Sequence, residues 1–491
     1  MINLNDVSYK YNDATAQAIR HISLSVKKGE LVAITGKSGC GKTTLFRCMN
    51  GLCPHFYEGE ITGSLTLNGN ALSSMHICDI SNIVASVFQN SESQFFTTDV
   101  LSDLVYPCEN YGIEKEEIQE RLHRVKKLLS LEPLLNRKLS ELSGGEKQKI
   151  AIASVLMLDT RVVLMDEPSS NLDYRSVELL TQILAQLKLK DYTILIIEHR
   201  LHYLAELCDR LIVMKNGSIV REYEKASLRT IGNDELHKQG LRSLHLFQNN
   251  CNTLISPQRQ HTDKPLLVLH DIHFSYQKNA EVLKGIHLSI YPGDKIALIG
   301  KNGCGKTTLG KILCGLKREK SGNLLFDGSV FPAKVRSKAV GYVMQNVDFQ
   351  LFGCSVYDDL LLGNEATPDR ENRIQAVLAK LGLSDLQEQH PTTLSMGQKQ
   401  RLVVAASFLQ KKRLTIFDEP TSGLDYGSMK NVCTLIDLIT GDSNASVIIT
   451  HDYEFIVNVC NRAVLLEDGQ IKEDFQLNGT MQLEHIFKER L

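Results

Sequence analysis

Long apolar stretches are missing from this chain. Nowhere in its 491 residues do 18 or more apolar residues run together, so no segment is expected to span a bilayer as a helix. An excess of either charge is missing too. Fifty-five Lys and Arg face 57 Asp and Glu, a net charge of −2, which gives no bulk attraction to nucleic acid or anionic lipid. The opening residues, Met1 to Asp6, lack a basic stretch followed by an apolar one, so no secretory signal is expected there. The 12 cysteines form no CxxC pair and no regular framework, the usage of reduced cytosolic thiols. Cys48, Cys53 and His55 lie close together but match no common zinc spacing, and are expected to pack. What remains is an ordinary globular composition, 43% hydrophobic and 23% charged, with ample chain for about three domains or two large ones.

The chain is written twice. Gly36-Lys37-Ser38-Gly39-Cys40-Gly41-Lys42-Thr43 recurs as Gly300-Lys301-Asn302-Gly303-Cys304-Gly305-Lys306-Thr307, an offset of 264 residues. Ser143 and Ser395, Asp166 and Asp418, and His199 and His451 recur at 252, and Gln89 and Gln345 at 256. A register that keeps the order of landmarks over such distances marks an internal repeat. It predicts one domain over 1–235, a linker rich in Gln, Asn, His and Ser over 236–263, and a second domain over 264–491.

Within each copy the pattern reads as α/β. Residues 30–35, 162–165, 193–197 and 295–299 are short apolar runs that suit parallel strands covered on both faces. Charges alternating with leucine over 114–130 predict a half-exposed helix.

Each Gly-rich octapeptide follows a predicted strand and precedes a predicted helix, the context that GxxxxGK[ST] needs to cradle phosphates. Its glycines let backbone N–H groups wrap the anion, and the helix presents its positive end. Lys42 and Lys306 reach the phosphates, with Thr43 and Thr307 suited to Mg²⁺ and Thr44 and Thr308 next in line. Each copy also carries an apolar strand ending in Asp-Glu-Pro. Asp166 and Asp418 suit Mg²⁺; Glu167 and Glu419 suit the orientation or deprotonation of an attacking water. Twenty-three residues upstream of each aspartate, Ser143 and Ser395 open S-x-x-[EQ] capping boxes. These helix starts are further anion-binding N-termini.

Taken together, the two phosphate loops, the downstream Gln89 and Gln345, Leu142-Ser143-Gly144-Gly145-Glu146 and Leu394-Ser395-Met396-Gly397-Gln398, the Asp-Glu pairs, Ser170 to Asp173, Ser422 to Asp425, and His199 and His451 resemble the nucleotide-binding domains of ABC ATPases. The resemblance covers nearly the whole chain. It implies two tandem P-loop NTPase domains, each with a helical subdomain, closing head to tail on two ATP molecules with Mg²⁺. Gln89 and Gln345 are then metal and water contacts, and Tyr11 and Tyr276 stand where the family stacks an aromatic on adenine. Site one would join Lys42, Gln89, Asp166, Glu167 and His199 to Ser395 and Gly397. Site two would join Lys306, Gln345, Asp418, Glu419 and His451 to Ser143 and Gly145, with Gly144 between them a further expected ATP contact.

Met396 departs from the pattern, standing where the first copy has Gly144. If the position needs a positive φ, methionine strains it and weakens site one; otherwise the change is harmless. Cys40 and Cys304, inside the phosphate loops, are either small residues in a tight turn or acidified thiols.

Three roles compete for an ABC ATPase of this kind. A DNA-maintenance role calls for long coiled-coil insertions or zinc-binding cysteine pairs, and neither is present. A ribosome or translation role usually comes with a long charged linker, which is also missing here. The segments Gln89-Asn90-Ser91-Glu92-Ser93-Gln94-Phe95-Phe96 and Gln345-Asn346-Val347-Asp348-Phe349-Gln350-Leu351-Phe352 resemble the ATPases of energy-coupling-factor importers, which take up vitamins or cobalt and nickel ions. That resemblance implies an integral membrane scaffold, a substrate-binding membrane subunit, no nucleic-acid partner, and a place on the cytoplasmic face of the membrane. The aromatic residues would line a groove for a partner's helix, unless they belong to the local core.

Overall fold

The computed structural model describes residues 1–247, 264–277, 280–363 and 367–491. The chain divides into two compact units, Met1–His245 and Leu246–Leu491, each built on the same plan.

In the first unit, the apolar runs become the centre of a six-stranded sheet. Its order is Ser218–Glu224, Arg210–Lys215, Leu31–Gly36, Thr193–Ile197, Val162–Asp166 and Val84–Val87. All but the first edge strand are parallel. Leu31–Gly36, Val162–Asp166 and Thr193–Ile197 are buried at every position, which explains their unbroken apolar sequence. A four-stranded antiparallel sheet, ordered Ile19–Val26, Ile2–Tyr11, Gly59–Leu67 and Asn70–Ala71, packs against one side. The two sheets share a core that includes Val7, Tyr9, Val32, Ile34 and Phe46. The helices Val100–Asn110, Lys115–Leu129 and Gly144–Leu156 form a helical layer on a second core. The helix expected over 114–130 is Lys115–Leu129; it buries only Val125 and Leu129, as its alternating charge requires.

The second unit repeats this arrangement. Its six-stranded sheet runs Val340–Val343, Leu414–Asp418, Ala445–Ile449, Lys295–Ile299, Arg462–Glu467 and Gln470–Gln476. Its antiparallel sheet runs Ala280–Ile290, Leu267–Gln277, Ser321–Phe326 and Ser329–Val330.

The expected linker, 236–263, is described only as far as 247; residues 248–263 lie outside the described residues. Its first ten residues belong to the first unit. Leu236, on the helix Asn233–Lys238, and Leu241 and Leu244 beyond it join the first unit's core. These three leucines, spread through a polar stretch, carry the packing that composition alone hides. Among the described residues no helix is long and apolar enough to cross a membrane.

Candidate nucleotide sites

In each unit the phosphate loop, the Asp-Glu pair and the histidine gather where the parallel strands end, whereas Ser143 and Ser395 open separate helices. The chain leaves Leu31–Gly36 through the Gly-rich loop and enters the helix Lys42–Met49. Gly36 has φ +152°, and a Cβ there would stand 2.3 Å from the Met214 carbonyl oxygen. Gly300 repeats this, 2.1 Å from the Leu466 oxygen. Only glycine lets the neighbouring strand approach so closely. The helix begins at Gly41 with no side-chain cap, so its positive end faces the loop. Lys42 is buried, and its Nζ donates to the carbonyls of Gly36 at 2.9 Å and Lys37 at 3.1 Å. Lys306 donates to Gly300 at 2.5 Å and Lys301 at 2.9 Å. The ammonium is thereby fixed at the rim of the anion cradle.

The loop cysteines pack. Cys40 is buried, and its Sγ lies 2.8 Å from where a Gly36 side chain would begin. Burial pushes the Cys304 thiol up, opposite to the acidified thiol considered above.

Asp166 and Asp418 are buried at the ends of their strands. Burial, reinforced by the charge of Glu167, pushes the Asp166 carboxyl up to about 7. Its Oδ1 is buried and has no hydrogen-bond partner among the described residues. An orphaned buried carboxylate oxygen costs free energy unless something positive meets it. With the Thr43 hydroxyl and the Gln89 amide oxygen, the donor set is all hard oxygen, and so it fits Mg²⁺. At the second site Thr307 Oγ1 donates to Asp418 Oδ1 at 3.3 Å, and the Tyr342 hydroxyl donates to Oδ2 at 2.7 Å.

Glu167 and Glu419 have φ +46° and +50°, a left-handed conformation that a non-glycine residue holds only when its surroundings enforce it. The enforcing bonds are Glu167 N–H to the Ile197 carbonyl at 2.8 Å and Glu419 N–H to Ile449 at 2.9 Å. Gln89 Nε2 donates to Glu167 Oε2 at 2.8 Å, and His199 Nε2 stands 3.3 Å from Oε1. At the second site His451 Nε2 is 3.7 Å from Glu419 Oε1, and the Thr450 hydroxyl donates to Oε2 at 3.4 Å. Gln345 is exposed.

The hydroxyls of Tyr11 and Tyr276 each share a 3.1 Å hydrogen bond with Thr44 and Thr308, on the helices that follow the loops. Both aromatics therefore border the phosphate loops. Tyr276 is 56% exposed, whereas Tyr11 is edged by Tyr9 and Tyr57.

Both capping boxes form. Ser143 Oγ accepts the Glu146 N–H at 3.3 Å, and Glu146 accepts the Ser143 N–H at 2.8 Å. Ser395 and Gln398 do the same at 3.4 Å and 2.8 Å. A Cβ on Gly145 would strike Ser176 Oγ at 2.3 Å, but one on Gly144 would meet only the Asn171 oxygen at 3.7 Å. Neither Gly144 nor Met396 has a positive φ. The strain reading of Met396 therefore falls: its position is an ordinary first helical turn, and the side chain is 44% exposed.

Glu198 belongs to the site although no motif marks it. It is 1% exposed beside His199 and accepts from the N–H groups of Ser169, His199 and Arg200 and from the Tyr203 hydroxyl, at 2.8–3.2 Å. It braces the strand end that carries His199. A carboxylate closing the apolar run 193–197 was the available signal. No motif marks Asp103 and Asp359 either. Phe96 and Thr97 donate their N–H groups to Asp103 Oδ1 at 2.9 and 3.2 Å, and Phe352 and Gly353 donate theirs to Asp359 Oδ1 at 2.8 Å each. Both aspartates are buried, while Phe96 and Phe352 are 71% and 76% exposed.

A family model described as "ABC transporter" matches residues 19–170 and 283–422. A Treponema denticola protein described as a candidate ABC transporter ATP-binding protein is 89% identical over 491 residues, 100% of both chains. A second from the same organism, with the same description, is 41% identical over 480 residues, 96% of this chain and 97% of its own. The solved complex of the archaeal ribosomal stalk protein aP1 with the archaeal ribosome recycling factor aABCE1 matches with a TM-score of 0.64. It is 22% identical and covers 96% of this chain and 90% of that one; at that identity the likeness concerns the fold alone.

Proposed function

We propose that this chain, which belongs to the ABC transporter family, is the ATP-hydrolysing energising subunit of an energy-coupling-factor type importer. It would drive uptake of a vitamin or a transition-metal ion through separate membrane subunits, from the cytoplasmic face. One observation carries this reading beyond ATP hydrolysis. In both units the loop after the glutamine is clamped from below by a buried aspartate, and it holds a phenylalanine in solvent. An exposed aromatic on a fixed loop is an anchor for a partner's apolar helix. The separate core reading holds for Phe95, which packs against the first unit's core, but does not fit the exposure of Phe96 and Phe352.

In this reading the two units close head to tail, and each ATP lies between the phosphate loop of one and the signature serine of the other. Lys42 and the loop N–H groups take up phosphate charge, and the N-terminus of the serine helix adds its own. Glu167, held by Gln89 and His199, accepts the proton of the attacking water. Mg²⁺, when bound by Thr43, Asp166 and Gln89, supplies further neutralisation of phosphate charge. Loss of the γ-phosphate removes a contact made to both units, so the closed state loses its advantage and the units part.

Purification of tagged protein from detergent-solubilised native membranes tests the assignment. A stoichiometric polytopic membrane subunit with a second, small hydrophobic one is expected, and both are lost when Phe96 and Phe352 become Ser. Recovery with ribosomal proteins and no membrane subunit overturns the importer reading in favour of a ribosome-associated ATPase.

A further inference from the structure

The two units solve one packing problem in opposite ways. In the first, the helix Lys42–Met49 carries Phe46, which is 2% exposed, and the facing strand Val84–Val87 carries Ser86. In the second, the corresponding helix position is Gly310, and the corresponding strand position is Tyr342. A Cβ on Gly310 would stand 3.0 Å from Tyr342 Cε2 and 3.2 Å from Ile449 Cδ1. The bulk that the helix supplies in one unit is supplied by the strand in the other. The exchange conserves core volume, which is what packing demands.

It does not conserve chemistry. Phe46 brings no polar atom, and Ser86 accepts from Asn50 at 3.2 Å. Tyr342 brings a phenol whose hydroxyl donates to Asp418 Oδ2 at 2.7 Å, while Thr307 bonds Oδ1. Both oxygens of Asp418 are therefore assigned, whereas Asp166 Oδ1 has no hydrogen-bond partner among the described residues. A glycine inside a helix weakens it relative to alanine, so Gly310 is a sacrifice of helix stability that makes room for the ring.

Building on the ATP-site reading above, we propose that Tyr342 is a positioning residue for the metal of the second site. It fixes the rotation of Asp418 so that Oδ1 stays beside Thr307, and so makes the two sites unequal in their hold on a divalent cation. Hydrogen-bond partners of a ligating carboxylate set its orientation, and losing one typically costs 10- to 100-fold in metal affinity.

The test is Mn²⁺ binding, read by electron paramagnetic resonance, to the ATP-loaded full chain in a Glu167→Gln, Glu419→Gln background that halts turnover. Tyr342→Phe keeps the ring against Gly310 and removes only the donor to Asp418 Oδ2, so the nucleotide-free melting temperature is expected to fall by no more than a few degrees. One of the two bound Mn²⁺ ions is expected to weaken roughly 10-fold, and it is the ion that Asp418→Asn also loses. If Tyr342→Phe binds both ions like its parent while Asp418→Asn loses one, the positioning role is overturned and the ATP-site reading stands. If Asp418→Asn also leaves both ions untouched, the site reading itself fails and takes the positioning role with it.

Discussion

The buried carboxylate of Asp103 accepts the backbone N–H of Phe96 at 2.9 Å. A polar side chain is kept in the interior so that an aromatic one can be held outside it. Asp103→Ala leaves the N–H groups of Phe96 and Thr97 without that acceptor. The expected cost is about 1–3 kcal/mol, with faster hydrogen exchange at those two amides. Urea titration and exchange measured by mass spectrometry check both. If Asp103→Ala slows exchange there or leaves it unchanged, the clamp is not what orders the loop.

Asp166 gives stability a pH dependence in metal-free protein. Its folded value, about 7, lies above the ordinary one for an aspartate. The stability linked to its protonated form is therefore complete below the ordinary value of about 4 and is lost as pH rises through about 7. Asp166→Asn removes that loss. Its advantage in melting temperature over the parent is expected to grow from pH 5 to pH 8, and added Mg²⁺ is expected to narrow it. A constant difference across that range would count against the assignment.

Arg336 is 1% exposed and pairs with Glu319 through two bonds of 2.8 and 2.9 Å while donating to the carbonyls of Phe331 and Ile312. Arg336→Met leaves Glu319 without its partner and is expected to cost about 3–5 kcal/mol. Burial opposes the charge on Glu319, but the bonds from Arg336 hold its carboxyl below the usual range. This contribution is therefore present above the ordinary glutamate value and fades as pH falls through the depressed one. Denaturation curves at neutral pH and near pH 3 should show the gap between parent and variant shrinking in acid.

Hydrolysis should depend on both glutamates. Glu167→Gln and Glu419→Gln are each expected to lower turnover at their own site by about 10²–10⁴-fold. Phosphate release under single-turnover conditions measures it; wild-type rates in both variants would remove the two glutamates from the role of base.

Met396→Gly is expected to leave turnover and ATP affinity within about twofold, because the backbone there is helical and the side chain is exposed. A gain of tenfold or more would show that methionine does restrain site one.

Much of the scaffold could be read from the chain because its signals are local. The apolar runs 193–197 and 295–299 are the strands Thr193–Ile197 and Lys295–Ile299, and the capping boxes at Ser143 and Ser395 form as their spacing requires. Gln89, Glu167 and Asp418 are legible as motif residues, but their pairings act at a distance. Tyr342, which no motif marks, bonds Asp418 across 76 residues, and Gln89 bonds Glu167 across 78; nothing in either local sequence announces the other. The reading of Met396 failed for another reason. A glycine in a motif suggests a special backbone, but of the neighbours Gly144 and Gly145 only Gly145, against Ser176, has a steric need to be glycine.

Phe46 with Ser86, and Gly310 with Tyr342, are matched sets, and this makes the two halves poor donors to each other. Gene conversion that copied the helix of one half without its strand would set Phe46 against Tyr342, or leave Gly310 facing Ser86. The first overfills the core and the second leaves a hole, each costing on the order of 1–3 kcal/mol or more. Short exchanges between the repeats would thus be purged. The halves are expected to drift apart here even where their motifs stay alike, each locked to its own answer for the space beneath the phosphate loop.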